Sequence, residues 1–216
     1  MRKILAVVIV LFTTPVFGQN HFIGMQGGIS WTNVISEDCF FTDTKNRIGI
    51  MYGVTYDYTF KNKFHFGIDL IYAQKGFRNE VSITDQYEYQ HDLEYESDYN
   101  YLSIPLKGGF LIGDNFSGFL YLGVVPSILM NAEALGQTIG SSPRTIDITD
   151  EVNEFDFGGL IELGASYKFK GRFMVFTSFA YQQSFMPTKE KYFSNGDAKH
   201  YGMTSSFGLR YALKKE

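Results

Sequence analysis

Several features that define common protein classes are missing from this sequence. Cys39 is its only cysteine, so no intrachain disulfide can form. There is no run of about 18 apolar residues, which excludes a membrane-spanning helix. The formal net charge is −4, without the basic stripe that binds nucleic acid. We therefore expect no disulfide framework, no helical membrane span and no nucleic-acid partner.

Residue patterns that carry metal or covalent chemistry are also missing. Ser205 and Ser206 lie near a histidine in sequence, but Ser206 is expected to face inward lower on its strand, away from an outer active site. The four histidines lie on different segments without metal-ligand spacing: His21, His65, His91 and His200. We predict no catalytic residue, no metal site and no cofactor, and we do not expect an enzyme.

The N-terminus has the order of a secretory signal. Arg2 and Lys3 are followed by an apolar core at residues 4–12 that is too short to span a bilayer. Val16 and Gly18 occupy the −3 and −1 sites of a signal-peptidase cleavage site. The order of these elements favours a signal over a buried strand or a membrane helix. The sequence predicts a signal peptide at 1–18 and one domain at 19–216.

Alternating apolar residues predict β-strands along the rest of the chain. Every second residue from Ile48 to Phe60 is apolar or aromatic, a period of two. The same rhythm gives eight predicted strands: 21–33, 46–60, 63–77, 99–113, 117–131, 154–169, 172–185 and 200–213. Tight turns alternate with long polar loops between them. The sequence predicts an all-β, eight-stranded antiparallel up-and-down transmembrane β-barrel, with periplasmic turns and external loops.

The two faces of the predicted strands differ in a way that favours lipid outside. One parity is bulky and apolar, as in Phe64, Phe66 and Ile68, while the other carries small or charged residues such as Gly67 and Asp69. A soluble lipocalin-like carrier would need the bulky set inside, where it would overfill the barrel. We expect the bulky set to contact outer-membrane lipid.

Aromatic residues are predicted at both membrane interfaces, because amphipathic rings favour the headgroup zone. At the turn side these are Tyr58, Phe60, Phe64, Tyr167, Phe169, Phe173 and Tyr211. At the loop side they are Trp31, Tyr72, Tyr99, Tyr181 and Tyr201. Aromatics make up 17% of the chain, which also suits the β-propensity of these residues.

Strand register predicts a charged network inside the barrel. Asp69 and Lys107 lie six residues from the turn ends of neighbouring strands, and Glu162 falls in nearly the same layer. Asp57 and Arg210 lie three residues from their own turn-side ends and are expected to face each other lower down. Buried charges persist when they are paired. We predict that these five residues form a polar plug.

The loop at 78–98 is the most distinctive external feature, because its acids alternate with apolar and aromatic residues. This pattern predicts a hairpin that continues beyond the membrane as a ribbon with open edges. Two interpretations stay open: a solvated acidic loop, or a partner-binding edge or weak calcium site. The residues proposed for partner binding are Glu80, Asp85, Tyr87, Glu88, Tyr89, Asp92, Glu94, Tyr95 and Glu96.

Four short segments resemble a known family. Residues 101–107 (YLSIPLK) and 119–126 (FLYLGVVP), with 26–28 (QGG) and 155–158 (FDFG), are similar to PorT-like "porin family" outer-membrane β-barrels of Bacteroidetes. The resemblance spans the mature chain and implies an outer-membrane barrel, a family whose founding type belongs to a secretion apparatus. The C-terminus departs from the usual terminal aromatic residue of outer-membrane barrels, since it ends in Lys-Lys-Glu.

Two function classes follow from these observations. The first is a non-enzymatic structural or interaction barrel with a side-chain-plugged lumen. It would meet a protein partner at its long external loops, as a monomer or as a subunit of a larger envelope or secretion complex. The second is a small-solute channel. Eight strands leave an interior just wide enough for side chains to fill, so the first class is favoured.

Overall fold

The protein is described here from a computed structural model that covers most of the chain. It describes residues 20–35, 44–60, 63–84, 90–136, 142–169, 172–188 and 198–213. The side chains of 20, 80–84 and 90–94 are not included in that description. The predicted signal peptide at 1–18 and Cys39 lie outside the described residues.

The described chain is built almost entirely from β-strands. There are ten: β1 (Asn20–Ile35), β2 (Thr44–Phe60), β3 (Phe64–Thr84), β4 (Gln90–Ser103), β5 (Leu106–Gly113), β6 (Phe116–Gly136), β7 (Arg144–Asp147), β8 (Phe155–Lys168), β9 (Phe173–Ser184) and β10 (Lys199–Ala212). One 3-10 helix, Thr149–Glu151, follows β7. No described helix is long and apolar enough to cross a membrane.

The strands close into a ring with eight positions. We call each position a stave: it is one strand of the barrel wall or, for β4 and β5, two strands in line. The order β2-β1-β10-β9-β8-β6-β4-β3 is closed by pairing between β3 and β2, and every pairing is antiparallel. The fifth strand continues the stave of β4 between β3 and β6. The short β7 pairs only with the outer end of β6. The predicted eight-stranded up-and-down barrel is confirmed, because β4 and β5 form one stave.

A proline divides the stave that contains β4 and β5. Pro105 has no backbone N–H to donate, so the ladder is interrupted there. The flanking backbone is still bonded, with Ile104 N donating to the carbonyl of Pro126 at 2.8 Å and Asp69 N donating to that of Pro105 at 3.1 Å. Inward positions stay in phase across the break, so Lys107 points into the lumen like Ser103. One predicted strand is therefore observed as two.

The β3–β4 hairpin extends beyond its neighbours. Its register runs from Ile71 opposite Ser103 to Thr84 opposite Gln90. Pairing of β3 with β2 ends at Asn79, and pairing of β4 with β6 begins at Glu96. Among the described residues, 80–84 and 90–94 therefore pair only with each other. We call this segment the ribbon.

The outer face is apolar and the inner face is polar, as the strand parity predicts. Side chains such as Ile48, Leu70 and Leu163 are 62%, 44% and 59% exposed. One predicted interface residue is misplaced: Tyr99 is fully buried in the lumen. The physical reason is the period of two, which puts Tyr99 on the same face as Tyr101 and Lys107 rather than beside Leu102.

Candidate functional site

The lower lumen is centred on one lysine held by two carboxylates. The Nζ of Lys107 lies 2.8 Å from Oδ2 of Asp69 and 2.9 Å from Oε2 of Glu162. These three residues come from β5, β3 and β8, and all are buried. Buried ions are tolerated when they are paired and hydrogen-bonded, so this layer is stable only as a set.

A second charged group lies nearer the turns, around Asp57. Its Oδ2 is 2.6 Å from Nε of Arg210, and its Oδ1 is 2.8 Å from Nε2 of His65. The Arg210 guanidinium also lies 3.9 Å from the centre of the Phe176 ring. The other ring nitrogen of His65 is 3.2 Å from Oγ1 of Thr59. Each charge here meets an opposite charge, a polar partner or an aromatic face.

Gly67 leaves room for Asp57 of one charged group and Lys107 of the other to come close together. A Cβ on Gly67 would lie 2.8 Å from Oδ1 of Asp57 and 3.0 Å from Cε of Lys107. A larger residue would push one of these groups away from its partner. The alternation of glycine and charge seen in β3 therefore has a packing reason.

Neutral polar side chains extend the network around the wall. Gln26 donates from Nε2 to Oδ2 of Asp69 at 3.2 Å, and its Oε1 accepts from Ser206 at the same distance. The hydroxyl oxygens of Ser206 and Ser178 are 2.8 Å apart. These contacts link β1, β9 and β10 to the charged layers.

An upper polar layer lies above the lower lumen. The Nζ of Lys75 and the Oγ of Ser184 each donate to Oδ2 of Asp156 at 2.9 Å. The Lys75 ammonium lies 4.7 Å from the centre of the Tyr101 ring. His200 is buried beside this pair, with its ring edge-on to Tyr99 at 4.8 Å.

An apolar cap covers the outer end of the lumen. The segment after β7 turns inward so that Ile148 and Val152 are only 4% and 8% exposed. Ile148 is anchored by its backbone N–H, which donates to the carbonyl of Ala132 at 3.0 Å. The cap packs into one cluster with Val34, Phe77, Tyr99, Tyr101, Leu129, Ala132, Ala134 and Ala198.

The base of the ribbon is tied to the barrel rim by charge. The Arg47 guanidinium contacts both Glu96 and Asp98, with Nε 2.9 Å from Oε1 of Glu96. Arg78 approaches the same glutamate at 3.0 Å. Tyr95 packs against the cap cluster. The other proposed partner-binding side chains lie outside the described ones: Glu80, Asp85, Tyr87, Glu88, Tyr89, Asp92 and Glu94.

Little open space is left beside the buried layers. A cavity of about 20 Å³ adjoins Asp69, Lys107 and Glu162, and one of about 30 Å³ adjoins Lys75 and Asp156. A larger cavity of about 230 Å³ opens at the turn end and is lined by His65, among others. Within the described part of the chain, no group of three or more His, Cys, Asp or Glu is placed to hold a metal ion.

The structure brings the five predicted lumen residues together in two adjacent groups. Asp69, Lys107 and Glu162 form one group, and Asp57 and Arg210 form the other. Sequence reasoning missed four further members, which all lie on inward-facing positions: Gln26, His65, Lys75 and Asp156. Strand parity could have found them, since His65 shares its parity with Asp69. Which side chains meet across the lumen depends on strand tilt, which parity does not contain.

The closed ring, apolar outside and charged within, agrees with the sequence family. Residues 17–190 match the family described as outer membrane protein beta-barrel domain. The chain belongs to that family. No curated protein matches the chain.

Solved barrels share only low identity with this chain. OprG of Pseudomonas aeruginosa is 14% identical, with 91% of this chain and 97% of OprG covered and a TM-score of 0.48. The outer membrane protease OmpT of Escherichia coli is 9% identical, with 93% and 99% covered and a TM-score of 0.43. Neisserial surface protein A is 12% identical, with 88% and 97% covered and a TM-score of 0.41.

Proposed function

We propose that this chain is a non-enzymatic outer-membrane barrel that does not conduct solutes and acts through its external loops. The observation that supports this proposal is the stack of filled layers along the lumen. Two charged groups, the Lys75–Asp156 pair and the apolar cap follow one another from the turns to the rim. Function would then belong to the outer surface rather than to a pore.

Ion-pair energetics explain why such a lumen resists permeation. A passing ion would have to separate Lys107 from Asp69 or Glu162, which leaves a buried charge unpaired. Breaking one buried pair costs about 3–5 kcal/mol. A permeant solute would meet this cost at two charged groups and then meet the apolar cap, where a hydrated ion has no polar partner.

The ribbon is the element that we propose contacts a partner. Its strands pair only with each other among the described residues, so their outer edges present backbone donors and acceptors that can template an added strand. The acids along it favour a partner with basic residues. The resemblance to PorT-like barrels supports an envelope or secretion complex as the setting.

Single-channel recording in planar bilayers tests the closed lumen. The wild type should show no steady current. The lipid-facing control Leu70→Ala should be equally silent, because Leu70 lies on the outer face of the strand that carries Asp69. A triple variant, Asp69→Ala with Lys107→Ala and Glu162→Ala, empties one layer and should still be blocked by the cap and the Lys75–Asp156 pair. Stable current through the wild type would overturn the proposal and identify a small-solute channel.

Co-purification tests the role of the ribbon. Wild-type chain and a chain lacking residues 82–95 would be purified from native membranes after crosslinking. The proposal expects one or more envelope proteins with the wild type and their loss with the shortened chain. Equal recovery with both chains would place the partner surface elsewhere.

A further inference from the structure

One arginine lies on the lipid-facing side of the barrel, close to the turns. Arg172 directly precedes β9, and its Nη1 donates to the phenolic oxygen of Tyr211 at 3.0 Å. The guanidinium carbon also lies 5.8 Å from the centre of the Tyr211 ring. Tyr211 has the same outward parity as Leu209 and Leu213, which are 39% and 52% exposed. The contact with Tyr211 therefore holds the arginine on the outer face rather than in the lumen.

Arg172 keeps most of its hydrogen-bonding capacity for a further partner. A guanidinium has five N–H donors, and within the described part of the chain this one donates a single side-chain hydrogen bond, to Tyr211. The outward-facing positions of the strands β8, β9, β10, β1 and β2 carry no Asp or Glu. An arginine that borders an apolar surface without a carboxylate on these strands favours an anion from outside the protein.

The stave of β1 adds a polar aromatic group at the same height. The backbone N–H of Ala212 donates to the carbonyl of Arg172 on one side at 2.8 Å. The next residue, Leu213, donates to the carbonyl of His21 on the other side, also at 2.8 Å. Arg172 and His21 are therefore two strand spacings apart, about 10 Å. The His21 ring lies 5.2 Å from the Tyr58 ring. We call the following residues the turn-side patch: Arg172, Phe173, Tyr211, His21 and Tyr58.

The other described cations at this end do not share that position. Lys168 lines the cavity at the turn end together with His65 and Asp114, so it belongs to the lumen side. Lys63 is exposed at the turn between β2 and β3. Arg172 is thus the described cation at the turn end that a tyrosine hydroxyl holds against the lipid-facing surface.

We propose that the turn-side patch binds the phosphodiester headgroup of an anionic glycerophospholipid in the adjacent leaflet. The planar guanidinium of Arg172 matches two phosphate oxygens, and the Tyr211 contact fixes its direction. Aromatic rings favour the headgroup zone. The exposed side chains of Ile23, Leu209 and Phe173 lie beside the patch and provide a surface for the acyl chains. A soluble phosphate ion would make no use of that apolar surface.

The absence of acids selects between two kinds of lipid. A zwitterionic headgroup carries a cation that requires an anionic partner. The described outward positions around the patch provide no carboxylate for it. An anionic headgroup such as phosphatidylglycerol has no such requirement. This inference concerns the outer face and holds whether or not the lumen conducts.

Native mass spectrometry of the purified barrel in detergent tests the site. The protein would be titrated with phosphatidylglycerol and, separately, with phosphatidylcholine of the same acyl chains. The wild type should bind phosphatidylglycerol about fivefold more tightly, the factor that one cation near a charged membrane surface contributes. Arg172→Gln should remove this preference. Lys63→Gln is the matched control, because it removes an exposed cation at the same end, and it should keep the preference.

The wild type and a second variant keep the test decisive if Arg172→Gln fails to fold. Tyr211→Phe keeps the ring but removes the hydroxyl that Arg172 bonds, so it should reduce the preference for phosphatidylglycerol. Equal binding of the two lipids by the wild type would overturn the proposal. So would an equal loss of preference in Arg172→Gln and Lys63→Gln, which would assign it to the general charge of the turn end. Displacement of bound phosphatidylglycerol by inorganic phosphate would identify a site for a soluble anion instead.

Discussion

At the scale of single residues, Lys107 shows how one side chain can hold several staves together. Its stem crosses the lumen from β5 and its ammonium joins Asp69 on β3 to Glu162 on β8. The lysine has no water to replace these partners, because its side chain is 1% exposed. Its removal should therefore cost more than the removal of a surface lysine, because two buried carboxylates would lose their cation.

Replacing Lys107 with methionine should destabilise the barrel strongly. The change keeps the apolar stem but leaves two buried carboxylates without a cation, at a cost of about 3–5 kcal/mol. The measurement is urea unfolding in vesicles, followed by the fluorescence of Trp31, the only tryptophan. Adding Asp69→Asn and Glu162→Gln should restore much of the loss, because the layer becomes neutral.

The control for this prediction is Lys63→Met. Lys63 is exposed at the turn between β2 and β3, so its loss should change the free energy of unfolding by about 0.5 kcal/mol or less. A loss at Lys107 no larger than the loss at Lys63 would show that the charged layer does not support the fold.

Gly208 makes room for the aromatic ring under Arg210, and its replacement should be harmful. A Cβ at this position would overlap the Phe176 ring and lie 2.6 Å from the carbonyl oxygen of Met25. Gly208→Ala should therefore displace Phe176 from Arg210 and cost about 1–3 kcal/mol. Gly27→Ala is the matched control, since the nearest atom to its Cβ would be 3.8 Å away. Equal urea midpoints for the two variants would contradict this packing argument.

At the scale of the elements, the strands were largely predictable and their ends were not. Alternation from Ile48 to Phe60 identified β2, because a half-buried strand must alternate. The third strand was predicted to end at 77, with the hairpin continuing beyond the membrane as a ribbon. The continuation is confirmed, because β3 runs to Thr84 and stays paired with β4 beyond its last pairing with β2 at Asn79. The cap was predicted as part of a loop at 132–153. Burial of Ile148 depends on where that loop folds, which no local period records.

The ribbon should be dispensable for folding. Pairing of β3 with β2 ends at Asn79 and pairing of β4 with β6 begins at Glu96, so deletion of residues 82–95 removes no pairing between other strands. The barrel loses only the packing of Tyr95 on the cap cluster. The shortened chain should keep the change in gel mobility on heating that marks a folded barrel. Deleting residues 102–106 instead should abolish that change, because this stretch is paired on both sides. Loss of the heat-modifiable band on ribbon deletion would show that the ribbon supports the barrel.

At the scale of the whole molecule, the site exists only in the closed ring. Asp57 lies on β2 and Arg210 on β10, far apart in the sequence, and β1 lies between these two strands. The Lys75–Asp156 pair likewise joins β3 to β8 across the lumen. No single hairpin contains a complete layer. The plug therefore assembles only as the barrel closes.

The orientation of the barrel in the membrane can be tested on intact cells. The turn between β2 and β3 and the turn between β8 and β9 lie at one end, and the ribbon, β7 and the cap lie at the other. Because the family is an outer-membrane one and the short turns of such barrels face the periplasm, the ribbon end should be outside.

Trypsin added to whole cells should cleave at the exposed Arg144 on β7, and a glutamate-specific protease should cleave within 78–98. Lys63 and Arg172, at the turn end, should be protected until the outer membrane is opened. Intact mass of the protein from untreated cells should give a chain that begins at Gln19, the residue after the predicted signal peptide. External cleavage at Lys63 or Arg172, with 78–98 spared, would invert the orientation and move the His65 cavity to the outside.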